Sequence, residues 1–435
     1  MNVGFISLGC SKNLVDTEMA IGLFKNNKYN IVNNPKEADI IVINTCGFIT
    51  SAKEEAINTI LEMAEYKNNR CKYLIVMGCL VQRYKEELKK SIPEVDLFLD
   101  IDEYDTMWEK IENLTGIKLQ EKQELNYLDR VITTGNTTAY LKIAEGCSNR
   151  CTYCAIPYIR GPFISRKMED ILEEANKLAK KGYKEIIVIA QDTSKYGIDI
   201  YGKPKLAELL DKLSKIEGFK WIRFLYTYPE SITDELIEVV KNNDKICKYF
   251  DIPLQHISNP VLKRMNRKSN EDTIKNVIRK IRKEIPEVIL RTTYIVGFPG
   301  ETEEDFEKLY GFVKDTKFNK LGVFQYSKED GTPAAKLKEQ IHHNTKKSRY
   351  NKIMKLQNKI SEEILESKIG KEYKVLIEEK SFDNKYFIGR TYMDVPEMDG
   401  VVYIKNDGAH NVKIGEFYSC KVVNVKEYDL IAKIF

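Results

Sequence analysis

Three cysteines that fall within eight residues constrain this chain more than any other feature of its sequence. Cys147, Cys151 and Cys154, in the run CSNRCTYC, directly follow the apolar residues 140–144, which predict a strand. Three soft thiolates at this spacing can bind one face of an iron–sulfur cube and leave one iron open to a small molecule. A zinc site normally has a fourth ligand, and no other Cys or His lies nearby in the sequence. An iron–sulfur cluster is therefore favoured over zinc and over buried structural cysteines.

We call these three cysteines the barrel triplet. The sequence around them alternates between strand and helix patterns. Six apolar runs are separated by amphipathic helical stretches, which is more than a simple sandwich needs and fewer than the eight units of a full barrel. We therefore predict an open or partial (β/α)6 barrel, with its chemistry at the carboxyl ends of the strands. The predicted strands are residues 140–144, 185–190, 221–226, 249–253, 288–296 and 320–326.

The first 115 residues carry another alternation of strand and helix patterns. Residues 3–8, 40–43 and 74–77 are short apolar runs, and each precedes a charged, amphipathic stretch. This order predicts an α/β domain with a parallel βαβ sheet. Residues 113–138, which are polar and contain TTGNTT, predict a linker to the barrel. The predicted crossing helices are residues 13–25, 52–66 and 81–90.

Three further cysteines each come just after one of these apolar runs. Cys10, Cys46 and Cys79, which we call the sheet triplet, end the segments GFISLGC, DIIVINTC and YLIVMGC. Because the carboxyl ends of parallel strands share one edge of a sheet, three loops could bring these thiolates together as ligands of a second cluster with an open iron. Spacing of this kind also fits buried loop cysteines, so both interpretations stay open on spacing alone. The other cysteines are interpreted as core or surface thiols: Cys71, Cys247 and Cys420.

The C-terminal part of the chain changes its pattern twice. Residues 344–367 are Lys-rich and helical, and from residue 373 short alternating strands predict a small all-β barrel or sandwich. Residues 371–435 contain ten Lys and Arg against eleven Asp and Glu, which gives a net charge of −1. The sequence thus predicts three domains: an N-terminal α/β sheet domain (1–115), a barrel core (133–365) and an all-β module (366–435).

Composition narrows the class of protein. Hydrophobic residues at 43% and charged residues at 31% are typical of soluble globular proteins, and a net charge of +4 gives no sign of a polyanionic partner. The sequence contains no apolar run of about 18 residues, and its first residues lack the pattern of a secretion signal. Nine cysteines without such a signal fit reduced thiols, so we expect a cytoplasmic protein with no membrane partner.

These motifs resemble a known family. CxxxCxxC at the start of a partial barrel is similar to the radical S-adenosylmethionine (SAM) superfamily. SLGCSKNLVDTE, NTCGFITSAKEEAI, MGCLVQRY and AEGCSNRCTYCAIPYIRG resemble the methylthiotransferase family, and within it the branch that acts on small-subunit ribosomal protein twelve, uS12. The terminal β-module resembles the TRAM domain of that family. The resemblance covers nearly the whole chain.

The resemblance implies two 4Fe-4S clusters and SAM as cofactors. The cluster on the barrel triplet would give one electron to SAM, whose cleavage yields a 5'-deoxyadenosyl radical that takes hydrogen from the β-carbon of a uS12 aspartate. The cluster on the sheet triplet would deliver a methylthio group to that carbon. An external electron donor and a sulfur source complete the expected partners, and nucleic acid is expected at most indirectly, through the ribosome.

Within the implied SAM site, several barrel residues are candidate cofactor contacts. Tyr153 could pack on the adenine end, although an aromatic side chain in a cysteine loop is often structural. Gln191 and Asp192 end the second predicted strand, where they could hold ribose hydroxyls or could instead cap the next helix. These three residues therefore have a cofactor-binding and a structural interpretation.

Further candidates follow the later strands. Gln255 comes after the fourth strand, and Gly297 and Gly300 come after the fifth, where glycines permit either close approach to a ligand or a tight turn. Arg160 could bind a carboxylate of the cofactor or the substrate. Arg166 is expected to be a solvated surface arginine.

Methylthiolation of uS12 is the leading interpretation of the sequence. One alternative is the relative that acts on tRNA adenosine, but SLGCSKN and NTCGFI resemble the protein-modifying branch, and a terminal module of net charge −1 suits phosphate poorly. An alternative of another class is a non-enzymatic iron–sulfur carrier. That alternative predicts clusters without cleavage of SAM.

Overall fold

The N-terminal part of the chain is a parallel sheet covered by helices on both faces. The computed structural model describes residues 1–117, 124–406, 408 and 410–435. The strand order is β2-β1-β3-β4-β5, and all four pairings are parallel. The predicted strands and helices are confirmed, and two three-residue edge strands, β2 and β5, were too short to be predicted. The elements are β1 (Asn2–Ser7), α1 (Ser11–Asn26), β2 (Asn30–Val32), β3 (Ile40–Thr45), α2 (Thr50–Ala64), β4 (Tyr73–Gly78), α3 (Cys79–Ser91), β5 (Leu97–Leu99) and α4 (Met107–Thr115).

The central part forms an arc of six parallel strands. Strands β6, β9 and β10 form one parallel sheet and β11, β12 and β13 another, and a parallel bridge between Ile222 and Ile246 joins the two. The partial barrel that the sequence predicts is confirmed. Its elements are β6 (Thr138–Lys142), β7 (Ala144–Glu145), α5 (Ile156–Ile159), β8 (Ile164–Ser165), α6 (Met168–Lys180), β9 (Glu185–Ile189), α7 (Ile198–Tyr201), α8 (Leu206–Ser214), β10 (Trp221–Phe224), α9 (Asp234–Asn242), β11 (Tyr249–Asp251), α10 (Asn259–Arg264), α11 (Glu271–Glu284), β12 (Ile289–Val296), α12 (Glu303–Thr316), β13 (Lys320–Gln325) and α13 (His343–Glu366).

The C-terminal module is a closed five-stranded barrel with the strand order β14-β15-β16-β18-β17. Closure removes the exposed sheet edges that a small all-β domain would otherwise present. The predicted small β-domain is confirmed as a barrel. Its strands are β14 (Glu372–Lys380), β15 (Tyr386–Arg390), β16 (Val402–Lys405), β17 (Phe417–Lys426) and β18 (Asp429–Ile434).

Alternate residues of the arc strands face two different cores. In β9, Ile186 and Val188 pack with the outer helices, whereas Ile187 belongs to an apolar cluster that the arc shares with the C-terminal module. The ring of Trp221 in β10 lies 4.8 Å from the ring of Phe417 in β17, edge to face. The C-terminal module therefore packs against the inner face of the arc.

The segment predicted as a linker connects the N-terminal sheet domain and the barrel through ion pairs, in the part of it that the structure describes. Residues 118–123 of that segment lie outside the described residues. Arg130 is completely buried, and its guanidinium pairs with Glu18 of α1 and, at 2.8 Å, with Glu174 of α6. Arg166, expected at the surface, is instead mostly buried and pairs with the same Glu174 at 2.6 Å. The two ion pairs of Arg130 thus join the N-terminal sheet domain to the barrel.

No helix among the described residues is both long enough and apolar enough to span a membrane.

Candidate functional site

All six predicted ligand cysteines line one chamber of about 430 Å³. The chamber lies between the strand ends of the N-terminal sheet and the strand ends of the arc, and Met398 of the C-terminal module completes its wall. The sequence placed each triplet at the carboxyl ends of parallel strands. It did not predict that the two sheets face each other across a shared space.

The sheet triplet comes from three neighbouring strands. Cys10 follows β1, Cys46 follows β3, and Cys79 follows β4 as the first residue of α3. Because β1, β3 and β4 are adjacent in the sheet, their following loops are adjacent too. A Cβ atom on Gly47 would lie 2.7 Å from the carbonyl oxygen of Cys79, so only glycine lets these two loops approach so closely.

Asn13 ties the loops of the sheet triplet together. Its side-chain amide donates to the carbonyl oxygens of Leu8 (3.0 Å), which follows β1, and Thr45 (2.9 Å), which ends β3. Its side-chain oxygen accepts from Arg160 and lies 3.4 Å from the Sγ atom of Cys79. Asn13 was not predicted, although its position inside SLGCSKN, three residues after Cys10, was a usable signal.

The barrel triplet lies in a short loop held by backbone hydrogen bonds. The amide of Cys147 donates to the carbonyl of Gly161 at 3.1 Å, and that of Cys154 donates to the carbonyl of Cys151 at 3.1 Å. Cys147 and Cys151 are buried and Cys154 is half-buried. The loop is therefore closed on one side by protein and open on the chamber side.

Burial and charge act differently on the thiols. Cys10 is exposed to the chamber; the surrounding protein by itself would raise the pKa of its thiol, but the positive charges of Lys12 and Arg160 outweigh that effect and the pKa lies below its ordinary value. Burial raises the pKa of Cys79 to about 11. The thiolate is the form that binds iron, so Cys10 is the thiol of this pair that ionises more readily.

The chamber suits a cluster better than a single ion. Among the described residues, no three Cys, His, Asp or Glu side chains lie close enough together to hold one metal ion. The two triplets line an open volume instead. That arrangement fits a four-iron cube, since its metal atoms are spread over several ångströms and each thiolate binds a different iron.

The structure places the predicted cofactor contacts unevenly. Tyr153, Gln191 and Gln255 line the chamber. Asp192 does not line the chamber. It is completely buried and accepts a hydrogen bond at 2.7 Å from the side chain of Asn149. Asn149 in turn lines the chamber.

Three predicted contacts have partners within the protein itself. Gly297 and Gly300 do not reach the chamber, because they form the turn before α12: the amide of Gly297 donates to the carboxylate of Glu301, and that of Gly300 donates to the carbonyl of Glu339. Arg160 does line the chamber, but the carboxylates that it meets are the protein's own. It pairs with Asp16 at 2.8 Å and with Glu145 at 3.1 Å.

Arg267 is a chamber-side residue that the sequence did not reveal. Its guanidinium lies 4.2 Å from the centre of the Tyr228 ring, and its Nη1 atom lies 4.0 Å from the Sγ atom of Cys151. The run LKRMNRKS contains several basic residues, and nothing in the local sequence indicates that Arg267 would lie beside a cysteine of the barrel triplet. The residues that line the chamber itself and were not predicted include Lys12, Tyr226, Asp251, Arg291, Thr293 and Met398.

Comparison with known proteins gives the chain its relatives. Family models match the Radical SAM superfamily over residues 141–313, uncharacterized protein family UPF0004 over residues 2–100 and the TRAM domain over residues 369–435. The ribosomal protein uS12 methylthiotransferase RimO of Alkaliphilus oremlandii is 67% identical over 435 residues, which covers 100% of this chain and 99% of that protein. The chain belongs to the RimO family of methylthiotransferases. The protein of the same name from Acetivibrio thermocellus is 52% identical and covers 99% of this chain and 98% of its own.

Solved structures show the fold of this RimO family member. The radical SAM methyltransferase TsrM from Kitasatospora setae matches with a TM-score of 0.58 at 10% identity, covering 77% of this chain and 73% of that chain. The cobalamin-dependent SAM radical enzyme OxsB matches with a TM-score of 0.51 at 15% identity, covering 83% and 56%. The radical SAM fold, the implied iron–sulfur cluster and SAM are thus properties of the group to which the chain belongs.

The glycine before the barrel triplet allows a sharp test of its loop. Gly146 has a φ of +69°, and a Cβ atom there would lie 2.0 Å from the carbonyl oxygen of Pro162. Gly146→Ala should therefore displace Cys147 and remove most of the iron bound by the barrel triplet, as measured by iron content after anaerobic reconstitution. Gly161→Ala is the matched control, since Gly161 has the same φ of +69° and nothing within 4 Å of its Cβ position. Equal iron contents in the two variants would contradict this account.

Proposed function

We propose that this chain methylthiolates the β-carbon of an aspartate in ribosomal protein uS12. The observation that carries the proposal is that cysteine triplets from two different sheets line one chamber. Radical formation and sulfur transfer have to act on the same carbon, and a shared space of about 430 Å³ allows both groups to reach it. Relatives that match the whole chain are named for the same reaction, which supports the proposal.

The proposal assigns one 4Fe-4S cluster to each triplet. Thiolates are the soft ligands that such clusters need, and three thiolates leave one iron of each cluster without a ligand from this chain. When bound, these clusters and SAM supply the 5'-deoxyadenosyl radical at the barrel triplet and the methylthio group at the sheet triplet. An external electron donor and an external sulfur source are the other expected partners.

Buried cations next to both triplets support this assignment. The Nη2 atom of Arg160 donates to the Sγ atom of Cys79 at 3.4 Å, and Arg267 lies beside Cys151. Three thiolates on one cluster bring negative charge into a buried place, which is costly without nearby positive charge. Arg267 therefore reduces the cost of holding an anionic group at the barrel triplet, and Arg160 donates a hydrogen bond to a thiol of the sheet triplet.

The chamber also offers hydrogen-bonding atoms for a nucleoside. Gln191 donates from Nε2 to Glu145 at 3.1 Å, whereas its buried Oε1 atom accepts no hydrogen bond from any described residue. Such a free acceptor suits a ribose hydroxyl of SAM. Tyr153, on the loop of the barrel triplet, supplies an aromatic surface in the same wall.

The C-terminal module contributes to the opening through which a protein substrate would reach the chamber. Met398 of this module and Phe324 of β13 line the chamber and are 38% and 55% exposed. Exposed apolar side chains at the edge of a cavity are typical of contact surfaces for protein or peptide. We expect the segment of uS12 that bears the aspartate to contact these two side chains.

The decisive test offers the reconstituted protein both uS12 and bulk tRNA, with SAM and a reductant. Mass spectrometry should find a methylthio addition on an aspartate of uS12 and none on tRNA. An addition on tRNA adenosine would contradict the proposed substrate, but it would still agree with SAM cleavage at the barrel triplet and methylthio transfer from the sheet triplet. Absence of 5'-deoxyadenosine under the same conditions would contradict the enzyme assignment and favour an iron–sulfur carrier.

A further inference from the structure

Three cationic side chains line the chamber, and two of them are neutralised by the protein itself. Arg160 pairs with Asp16 at 2.8 Å, and Arg291 pairs with Asp399 at 2.7 Å. Lys12 has no carboxylate within 4.0 Å among the residues that the structure describes, although it is only 8% exposed. Cys10 and Asp251 stabilise the charge of Lys12, but a buried ammonium group without an ion-paired carboxylate is still costly, so its presence needs a reason.

Lys12 lies between the two halves of the site. It is the second residue of α1, two residues after Cys10, and therefore belongs to the sheet side. Its ammonium group lies 3.4 Å from the centre of the Tyr226 ring, which follows β10 on the barrel side. A group that contacts the ammonium from the chamber would thus lie between the sheet triplet and the barrel triplet.

The ring beneath Lys12 is held in a fixed and unusual position. Tyr226 has a φ of +62°, a left-handed conformation that costs a non-glycine residue free energy. Its amide donates to the carboxylate of Asp251 at 3.0 Å, and its carbonyl accepts from the amide of Thr193 at 3.0 Å. The aromatic face stabilises the ammonium on one side and forms no ion pair with it, so the ammonium can still bind a carboxylate from the chamber.

We infer that Lys12 binds the side-chain carboxylate of the target aspartate and so selects a substrate that carries a negative charge at this position. The inference rests on the proposed function, because it takes the aspartate from there. The β-carbon is bonded directly to that carboxylate. A carboxylate held by Lys12 therefore places the carbon that reacts between the two triplets, and Lys12 acts as a positioning residue.

Binding of matched peptides tests this inference without relying on turnover. The probes are a uS12 peptide that contains the target aspartate and the same peptide with asparagine there, titrated calorimetrically into the reconstituted protein. Wild type should bind the aspartate peptide roughly 30-fold more tightly or better, the lower bound for truncating one partner of a buried charge pair. Lys12→Met should lose this preference, and Lys12→Arg should keep most of it.

Lys25→Met is the matched control. Lys25 lies in the last turn of the same helix and is exposed, so its replacement should leave the preference and the iron content at their wild-type values. Each variant is compared at equal iron content, which separates substrate binding from an effect on the sheet triplet. Because the asparagine peptide leaves the enzyme unaltered, wild type alone tests the inference even if Lys12→Met does not fold.

Four results would overturn the inference. One is a wild-type protein that binds both peptides equally, and another is a Lys12→Met protein that keeps the preference for aspartate. A third is a Lys12→Met protein that loses affinity for S-adenosylhomocysteine while it keeps the peptide preference, which would assign Lys12 to the cofactor. A wild-type protein that binds neither peptide and does not modify uS12 would overturn the proposed function itself, and the inference with it.

Discussion

Replacing Cys151 by alanine should abolish the formation of 5'-deoxyadenosine from SAM. Cys151 is one of three thiolates in the barrel triplet, and a cluster held by two thiolates does not keep the low potential and the position that cleavage of SAM needs. The expected loss in rate is at least about 1,000-fold, because the removed step has no substitute in the chamber. The measurement is 5'-deoxyadenosine released per chain under reducing conditions.

Cys46→Ala should separate the cleavage of SAM from the transfer of sulfur. Cys46 belongs to the sheet triplet, so the variant should still form 5'-deoxyadenosine but should make no methylthiolated uS12. Cys71→Ala is the control for loss of a buried cysteine, since Cys71 is 4% exposed and lies before β4, at the other end of the sheet from the chamber. That variant should keep both activities. Methylthiolated product from Cys46→Ala would show that the sheet triplet does not hold the sulfur-delivering group.

The second large effect concerns stability. Arg130→Met should lower the free energy of unfolding by about 3–5 kcal/mol, because it leaves the buried carboxylates of Glu18 and Glu174 without their shared guanidinium. Both carboxylates are almost inaccessible to water, with side-chain exposures of 1% and 2%. Urea denaturation, followed by fluorescence, measures the change.

The neighbouring exposed pair provides a control for the Arg130 variant. Lys177 of α6 pairs with Asp129 at 3.2 Å, and both side chains are 43% exposed. Lys177→Met removes the same kind of contact between the same two segments, yet it should change the free energy of unfolding by no more than about 1 kcal/mol. Equal destabilisation by the two variants would mean that burial is not what makes the Arg130 cluster important.

Local sequence patterns predicted most of the fold and both cysteine triplets. Each triplet is marked by short spacing or by its place after an apolar run, and the rule that parallel strands end at one edge turns that place into proximity. Cys10, Cys46 and Cys79 follow β1, β3 and β4 for this reason. The division of the chain at residues 115, 133 and 366 stays a prediction.

Contacts between distant segments could not be predicted from the sequence. Arg160 as a ligand contact stays a prediction, but its ion pairs with Asp16 and Glu145, which reach it from two different elements, had no signal in the sequence. Gly297 and Gly300 carried a signal for a tight turn and for ligand approach alike, and only the folded chain shows that they serve the turn before α12. Such outcomes depend on which side chains the tertiary fold brings together.

The packing of the C-terminal module is a further result of tertiary structure. Its alternating strands predicted a small β-domain, but nothing local indicated that Met398 would reach the chamber. The same holds for Lys12, whose place in SLGCSKN suggested no contact with Tyr226 on the barrel. Met398 and Lys12 reach the chamber only because the domains pack against each other.

Iron bound per chain tests most directly the central claim that two cysteine triplets hold two clusters in one chamber. Anaerobically reconstituted wild type should contain about eight iron atoms, and replacing either triplet by alanine should leave about four. Replacing both triplets should remove the iron altogether. A wild-type content of about four iron atoms that does not change when Cys10, Cys46 and Cys79 are replaced would contradict the second cluster and, with it, the proposed route of sulfur transfer.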